Sequence, residues 1–490
     1  MENKKMKIIS IASIIALALT LVTATYAYFM AQTGEGKSTD IKINANTVDT
    51  FTFEAGSALN LSLNQENFAS GKGNQTGTTF AKAMLTANNK TNTATEHYYL
   101  YLNISNNTFT YSIDNNTPEI LLSIKDGSNN EITTLTGLTY KTVTDGKGAS
   151  IKGFDITTKS GLITILNNRE ITTTSSKTEQ WNVTVTFVNY NSNQAGNAGK
   201  NFTAKLMIQK EKIPTVLSDV CTSGNNLATC ITTLSNKSEP SIVNIYHHTS
   251  SLANGAGDNS YRYAGASDSV NNYICLGSDE ATCPEANLFR IIGVFGDKTK
   301  VIRAKSVGDK GWDTNGYNTW SSSSLNTYLN GTYLTSLGTI ADKIATTTWK
   351  VGGNTSANIS GVVPKTAYQY EVGSSASTTT YDAKIGLMYV TDYYYSASPS
   401  AWTLVGYNSS DATKDYRAAK TTNWLYLGST EWTISRDSGT TSDAFRVSST
   451  GVVIGCDVTS SDVARPSFNL LSSTTYVSGS GSMSDPVRVN

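Results

Sequence analysis

Residues 181–187 are Trp-Asn-Val-Thr-Val-Thr-Phe, and residues 202–206 are Phe-Thr-Ala-Lys-Leu. In both segments apolar and polar side chains alternate, which is the pattern of a strand with one buried face. Residues 98–104, Tyr-Tyr-Leu-Tyr-Leu-Asn-Ile, repeat the alternation, and the stretch 189–201 is rich in Asn and Gly, as turns are. Short strands separated by polar turns predict a β-sandwich or jelly roll over residues 28–212.

A change of pattern follows this domain. Lys210-Glu211-Lys212-Ile213-Pro214 interrupts the strand pattern, and we place the domain boundary there. Apolar residues at helical spacing come next, so residues 213–244 are predicted to form a linker of two short helices. Residues 245–490 mix strand and helix patterns, which predicts an α+β domain. The whole chain is therefore expected to be mostly β.

Within this α+β domain the local patterns are specific. A hairpin is predicted over 288–304, and a helix over 321–337 with a break at Gly331. A buried strand is predicted at 385–390, followed by a short helix that Thr391 and Asp392 open. Four short strands are predicted near the end of the chain, at 432–436, 444–447, 452–456 and 466–470.

The N-terminus carries an export signal. Lys4, Lys5 and Lys7 precede an uncharged run from residue 8 to residue 30, and small residues stand at Thr25 and Ala27. This is the pattern of a secretory signal peptide over residues 1–27, cleaved after Ala27. The run also exceeds the roughly 20 apolar residues that span a bilayer. A retained membrane helix is therefore the alternative.

Composition excludes several classes of function. Lys+Arg and Asp+Glu are 38 each, so the net charge is zero and no basic footprint for nucleic acid exists. Only three histidines are present, which leaves little material for a metal site or for acid–base catalysis. Asp-x-Asp-x-Asp spacing for calcium is absent from the sequence. We expect no metal, no cofactor and no enzymatic activity.

The cysteines fall into two close pairs and one remainder. In an exported chain, Cys221 with Cys230 and Cys275 with Cys283 are predicted to form local disulfides, and Cys456 is left over. The alternative is free thiols in a reducing niche.

The N-terminal half resembles the TasA/camelysin family of bacterial matrix proteins. The resemblance rests on Ala24-Thr25-Tyr26-Ala27-Tyr28-Phe29 at the end of the signal and on the strand-rich domain that contains residues 181–187 and 201–206. It implies a β domain that builds or joins fibres. The chain lacks the His-Glu-x-x-His motif that a metalloprotease activity of that family requires.

The C-terminal half resembles C-type-lectin-like (formylglycine-generating-enzyme-like) surface domains of Gram-positive-lineage bacteria. The similarity covers about 245–490 and implies a ligand-binding surface domain. The enzyme of this fold needs a cysteine pair, whereas only Cys456 lies in the late region. The segments that carry it are Ser260-Tyr261-Arg262-Tyr263, 288–293, Thr319-Trp320-Ser321, 325–330, 432–436, 464–470 and 479–486.

Lectin-like domains display ligands on their late loops, so the candidate ligand-binding residues lie between 432 and 465. Trp432 and Arg465 are expected in the core, the latter as an internal hydrogen-bond anchor. Tyr, Ser and Asn side chains suit a carbohydrate or protein ligand, because they offer aromatic faces and hydrogen bonds without strong charge. The candidates are Arg436, Asp437, Asp443, Phe445, Arg446 and Asp457.

These observations predict an exported, non-enzymatic bacterial surface or matrix protein that binds a glycan or a cell-surface protein. Residues 28–46 are the candidate segment for self-assembly by strand addition, with the alternating Ile41-Lys42-Ile43-Asn44 in the middle. The same segment is otherwise the first strand of its own domain. A membrane-tethered adhesin that does not polymerise is the alternative function, and a secreted enzyme of the formylglycine-generating-like fold is the third.

Overall fold

The computed structural model describes residues 49–64, 71–88 and 92–490. The predicted signal segment 1–27, the cleavage point after Ala27 and the assembly segment 28–46 lie outside these residues. The chain divides into two compact units, Met1–Lys212 and Ile213–Asn490, which we call the first and the second unit. With 37% strand and 17% helix, the protein is mostly β, as the sequence predicts.

The first unit is a two-sheet β-sandwich. One sheet has the strand order β1-β3-β9-β5-β7-β6, and the other has the order β2-β10-β4-β8. A 3₁₀ turn, Ala195–Asn197, lies between the last two strands. The strands are β1 Thr50–Ala55, β2 Leu59–Ser62, β3 Gln75–Thr86, β4 Ala94–Asn107, β5 Ile120–Asp126, β6 Tyr140–Thr144, β7 Ser150–Asp155, β8 Gly161–Thr173, β9 Ser176–Phe187 and β10 Asn201–Gln209.

The alternation in the sequence decides which face of each strand is buried. Val183, Val185 and Phe187 of β9 enter one apolar cluster with residues of β4 and β10, whereas Asn182, just before them on the other face of the strand, is exposed. Because the cluster draws on strands of both sheets, the core lies between the sheets. The predicted strand alternation is confirmed here.

The second unit is α+β with short elements. Its strands are β11 Ile245–His247, β12 Tyr261–Tyr263, β13 Tyr273–Cys275, β14 Leu288–Phe295, β15 Lys298–Arg303, β16 Asp309–Lys310, β17 Thr347–Lys350, β18 Thr380–Ala383, β19 Ile385–Gly386, β20 Glu431–Arg436, β21 Asp443–Val447, β22 Val453–Asp457, β23 Asp462–Val463, β24 Ser467–Asn469, β25 Tyr476–Ser478 and β26 Val487–Val489. Its α-helices are α1 Leu227–Lys237, α2 Pro240–Val243, α3 Ser324–Tyr328, α4 Leu334–Ser336, α5 Ser356–Ile359, α6 Pro364–Glu371 and α7 Val390–Tyr395. A π turn joins α3 to α4, and it is Leu329–Tyr333. The 3₁₀ turns are Leu217–Asp219, Glu285–Asn287, Trp320–Ser322, Gly338–Lys343, Pro399–Thr403, Ala412–Lys414 and Lys420–Thr422.

Three sheets organise the second unit. The largest has the order β19-β24-β15-β14-β13-β26-β25, with β12 also beside β14 and β11 beside β12. A five-stranded sheet follows the order β16-β23-β20-β21-β22, and β17 pairs with β18. Helix α1, from the segment predicted as a linker, buries Leu227, Ile231 and Leu234 in the same apolar cluster as the sheets. The segment 213–244 is therefore part of the second unit's core.

Both predicted disulfides are present. Cys221 is bonded to Cys230 and Cys275 to Cys283, with Cα–Cα distances of 5.8 and 5.9 Å. Cys456 is a half-buried free thiol. In the described ranges, no helix combines the length and the apolarity that a bilayer crossing needs.

Candidate ligand-binding face

A tight turn of the second unit holds an exposed tyrosine. Asp313 is buried, and its carboxylate accepts hydrogen bonds from the backbone N–H groups of Tyr317 at 3.1 Å and Ser324 at 3.0 Å. Gly316, with φ at +82°, supplies the left-handed backbone that the turn needs. The ring of Tyr317 is consequently displayed outward, and the residue is 65% exposed.

The residue after this tyrosine ties the turn to a second loop. Asn318 is buried, and its side-chain amide donates to the carbonyl oxygens of Asp437, Thr440 and Asp443 at 2.8–3.1 Å. Its backbone N–H donates to the carbonyl of Thr441 at 3.0 Å. Asn318 thus fixes the loop between β20 and β21 against the turn that carries Tyr317.

A third turn follows β22 and lies beside the first. The backbone N–H of Asp313 donates to the carbonyl of Val458 at 3.0 Å. In this third turn the Asp457 carboxylate accepts from the N–H and hydroxyl of Thr459 at 2.8 and 2.6 Å, and these bonds lower the pKa of Asp457. Asp443 and Asp457 are directly opposed across the β21–β22 ladder, so both carboxylates belong to this end of the sheet.

Together the three turns form what we call the tyrosine face. It combines one exposed aromatic ring with hydroxyl, amide and carboxylate groups, the set that stacks on sugar rings and bonds their hydroxyls. Its exposed members are Thr314, Asn315, Tyr317, Ser438, Thr440, Thr441, Asp457 and Thr459.

Two of the predicted ligand-binding residues hold this face from within. Asp437 is buried, and its carboxylate accepts from the Ser356 hydroxyl at 2.6 Å and from the Gly439 N–H at 2.8 Å. Arg436 donates from Nε to the carbonyl of Gly352 at 2.8 Å. The Asp437 carboxylate and the Arg436 Nε group are thus engaged inside the protein, which gives both residues a structural role.

The prediction for two further residues needs correction. Phe445 is 0% exposed and packs in the core, so no ligand contacts it at the surface. Arg446 lies on the face of β21 opposite to Phe445, because neighbouring side chains of a strand alternate. It donates a hydrogen bond to the Asp462 carboxylate at 2.7 Å. Of the six predicted residues, Asp443 and Asp457 remain at the tyrosine face.

Sequence reasoning missed Tyr317. The signal was present in Asn315-Gly316-Tyr317-Asn318, because Asn-Gly marks a tight turn and the residues of tight turns are displayed at the surface. What the sequence does not carry is the proximity of this turn to loops more than a hundred residues away.

A shallow cavity elsewhere in the second unit is a weaker candidate. It measures about 170 Å³, and it lies between α1 and the β14–β15 hairpin, lined in part by Thr229, Thr232, Asp297 and Ser472. Pockets for small molecules typically enclose about 300–1,000 Å³. Across the part of the chain that the structure describes, no three His, Cys, Asp or Glu side chains are grouped so as to hold a metal ion.

Comparison with known proteins identifies no relative. No protein-family model, curated protein or solved structure matches this chain. The two family resemblances therefore stand on the sequence motifs, and the function has to be argued from the site.

Proposed function

We propose that this is an exported, non-enzymatic bacterial cell-surface or extracellular-matrix protein whose second unit binds a neutral glycan through the tyrosine face. The observation that carries the proposal is the exposure of Tyr317 between two buried, hydrogen-bonded neighbours, Asp313 and Asn318. A surface aromatic on an otherwise rigid turn is pre-organised for a ligand, and pre-organisation lowers the entropy cost of binding. The C-type-lectin-like assignment of this unit belongs to the same proposal.

The disulfides support the location. Both close short loops of the second unit, and such bonds persist in oxidising, extracytoplasmic compartments. The surface chemistry is consistent with this, since a chain with 16% charged residues and zero net charge presents mainly hydroxyl and amide groups to its surroundings.

The binding test uses an array of immobilised neutral oligosaccharides and the full-length exported chain. Tyr317→Ala removes the aromatic platform, and truncation of such an anchor costs on the order of 2 kcal/mol. We therefore expect its binding signal to fall by roughly 30-fold, with the free energy of unfolding unchanged within about 0.5 kcal/mol because the side chain is exposed.

Tyr407→Ala is the matched control. Tyr407 is another exposed tyrosine of the second unit, 42% exposed, and lies near Arg417 rather than at the tyrosine face. The Tyr407→Ala variant should leave oligosaccharide binding unchanged. Equal binding by the wild-type chain and Tyr317→Ala, or equal losses in both variants, would reject the tyrosine face as the binding site.

A second function, assembly into fibres, is favoured by the position of β1. This strand begins at Thr50, shortly after the predicted assembly segment 28–46, and within the described residues it pairs on one side only, with β3. An edge strand offers unpaired N–H and C=O groups to an incoming strand. The TasA-like assignment of the first unit is part of this proposal.

Electron microscopy of the mature chain tests assembly. Fibres that disappear when residues 28–46 are deleted support strand addition by that segment. Absence of fibres in the undeleted chain supports the membrane-tethered adhesin instead.

A further inference from the structure

A lysine and an aspartate meet in the interior of the second unit. Lys300 lies in the middle of β15, and Asp392 lies in the first turn of α7. The distance between Lys300 Nζ and Asp392 Oδ2 is 2.5 Å, and the two side chains are 6% and 3% exposed. No other Lys–carboxylate pair in the described residues is buried on both sides.

Aromatic rings surround the amine. Lys300 Nζ lies 4.6 Å from the ring centroid of Tyr389, 5.3 Å from that of Trp349 and 5.7 Å from that of Phe295. These rings keep water away, and burial lowers the pKa of Lys300 despite the opposing attraction of Asp392. Burial therefore makes the neutral amine, which is the nucleophilic form of lysine, easier to reach than it is for a lysine in water.

Both carboxylate oxygens of Asp392 have further partners. Oδ2 of Asp392 also accepts from the backbone N–H of Tyr389 at 2.8 Å, and Oδ1 lies 3.8 Å from a guanidinium nitrogen of Arg262. Arg262 itself is paired with Asp258 at 2.6 Å. A positive group thus faces the oxygen on which negative charge collects if a nucleophile attacks the carboxyl carbon.

Glu371 fixes the turn that carries Asp392. Its two carboxylate oxygens accept from the N–H groups of Val390 and Thr391, both at 2.8 Å, immediately before Asp392. Burial raises the pKa of Glu371. We treat Glu371 as a positioning residue, because it acts on Asp392 through the backbone of α7.

We propose that Lys300 and Asp392 condense to form an intramolecular isopeptide bond that covalently links β15 to α7. The amine and the carboxyl group are in direct contact, both are buried away from water, and both are held in place by neighbouring groups. Amide formation between groups held in this way becomes effectively unimolecular.

The step balances without a further reagent. The ammonium of Lys300 passes one proton to Oδ2 of Asp392, and the neutral amine forms a bond to the carboxyl carbon. The second proton moves from nitrogen to Oδ2, the carbon–Oδ2 bond breaks, and Oδ2 leaves as water. Oδ1, which faces Arg262, becomes the amide carbonyl oxygen.

Electrostatics favours the product inside the protein. A buried ion pair carries a desolvation cost for each charge, and condensation removes both charges at once. The pair of Arg465 and Glu431 is equally buried, at 2% exposure each, but a guanidinium stays protonated in proteins and does not attack a carboxyl group. Lys300 is thus chemically distinct from the other buried cations of this unit.

Peptide mapping of the denatured, reduced wild-type chain is the test. We expect a branched peptide that contains Lys300 and Asp392 and weighs one water less than its two parts. Lys305 and Glu285 are the internal control, because they lie 2.7 Å apart but are exposed, and they should remain unlinked. Only separate linear peptides from Lys300 and Asp392 in the wild-type map would overturn the proposal.

Variants sharpen the result. Lys300→Met and Asp392→Ala remove one reactant each and should give only linear peptides. Asp392→Asn retains an acyl group and should give the same branched peptide with loss of ammonia in place of water. Glu371→Gln should leave part of the chain unlinked at the time of purification. The wild-type map decides the proposal even if a variant does not fold.

Discussion

The two units differ in strand length and in the charged residues that they bury. Strands of the first unit reach 14 residues, whereas the longest strand of the second unit has 8. Among the described residues the first unit buries no lysine or arginine, while the second buries Arg262, Arg290, Lys300 and Arg465. All five cysteines also belong to the second unit.

The difference follows from strand length. A long strand with alternating apolar residues supplies a continuous buried face by itself, as β9 does. Short strands supply little such area, so their positions depend on side chains that reach across the unit. Arg290 is an example, since it donates to the side chain of Asn272 at 2.7 Å and to the carbonyls of Val270 at 3.2 Å and Trp424 at 3.3 Å.

The largest expected effect comes from breaking a buried ion pair of the second unit. Arg465→Met leaves the Glu431 carboxylate buried without its partner, which costs about 3–5 kcal/mol of unfolding free energy. Lys305→Met breaks an exposed pair and should cost far less, because water and salt already screen these two charges.

Denaturant unfolding followed by tryptophan fluorescence measures this difference, because every tryptophan except Trp181 lies in the second unit. Similar losses in the two variants would show that buried charge is not what holds the second unit together.

Loss of a single disulfide should have an intermediate effect, and the effect of reduction should be confined to the second unit. Each bond closes a loop of nine or eight residues along the chain, and its loss costs about 2–3 kcal/mol in the chain-entropy picture. Thermal unfolding with and without reductant should move the transition of the second unit only. A matching shift in the cysteine-free first unit would contradict this division.

The smallest effect concerns pH. His248 is buried against Tyr395 and Trp402, and its Nδ1 accepts from the Ala256 N–H at 3.0 Å. Burial lowers the pKa of His248 well below 6.5, and the charge of Arg262 lowers it further. The histidine of the unfolded chain therefore binds a proton near pH 6.5, whereas His248 in the folded protein stays neutral there. The unfolding free energy is consequently at its full value above that pH and declines as the pH falls below it.

The unfolding free energy of the second unit, measured between about pH 7.5 and 5, should show this decline for the wild-type chain. The decline should be weaker in His248→Gln, whereas His97→Gln, which changes a partly exposed histidine of the first unit, should follow the wild type. An unchanged pH dependence in His248→Gln would assign the effect to other groups.

Much of the local structure could be predicted from the sequence. The strands around 183–187 and 432–436, a short helix through Tyr395 and the internal anchor Arg465 all appear in the structure, because each depends on neighbours along the chain or on a strong apolar pattern. That helix begins at Val390, so Thr391 and Asp392 lie in its first turn and do not open it, and the strand predicted over 385–390 is only Ile385–Gly386. Gly331 is different: the predicted break is absent, since a π turn carries the helix through it.

The candidate site was less predictable than the fold. Its loops meet only through contacts such as that of Asn318 with Asp443, which are 125 residues apart. Phe445 and Tyr317 are two aromatic residues whose burial could not be predicted from the sequence. An aromatic residue in a late strand belongs to the core, and an aromatic residue in an earlier turn is displayed, because burial depends on packing between distant segments.

Both proposed functions require export, and the thiol state of the protein in its own compartment shows whether export takes place. The protein is taken from intact cells into denaturant, without reductant, in the presence of an alkylating reagent, and its modified cysteines are counted by mass spectrometry. Modification of Cys456 alone, with Cys221, Cys230, Cys275 and Cys283 protected, is the predicted result. Modification of all five cysteines would contradict an oxidising, extracytoplasmic location.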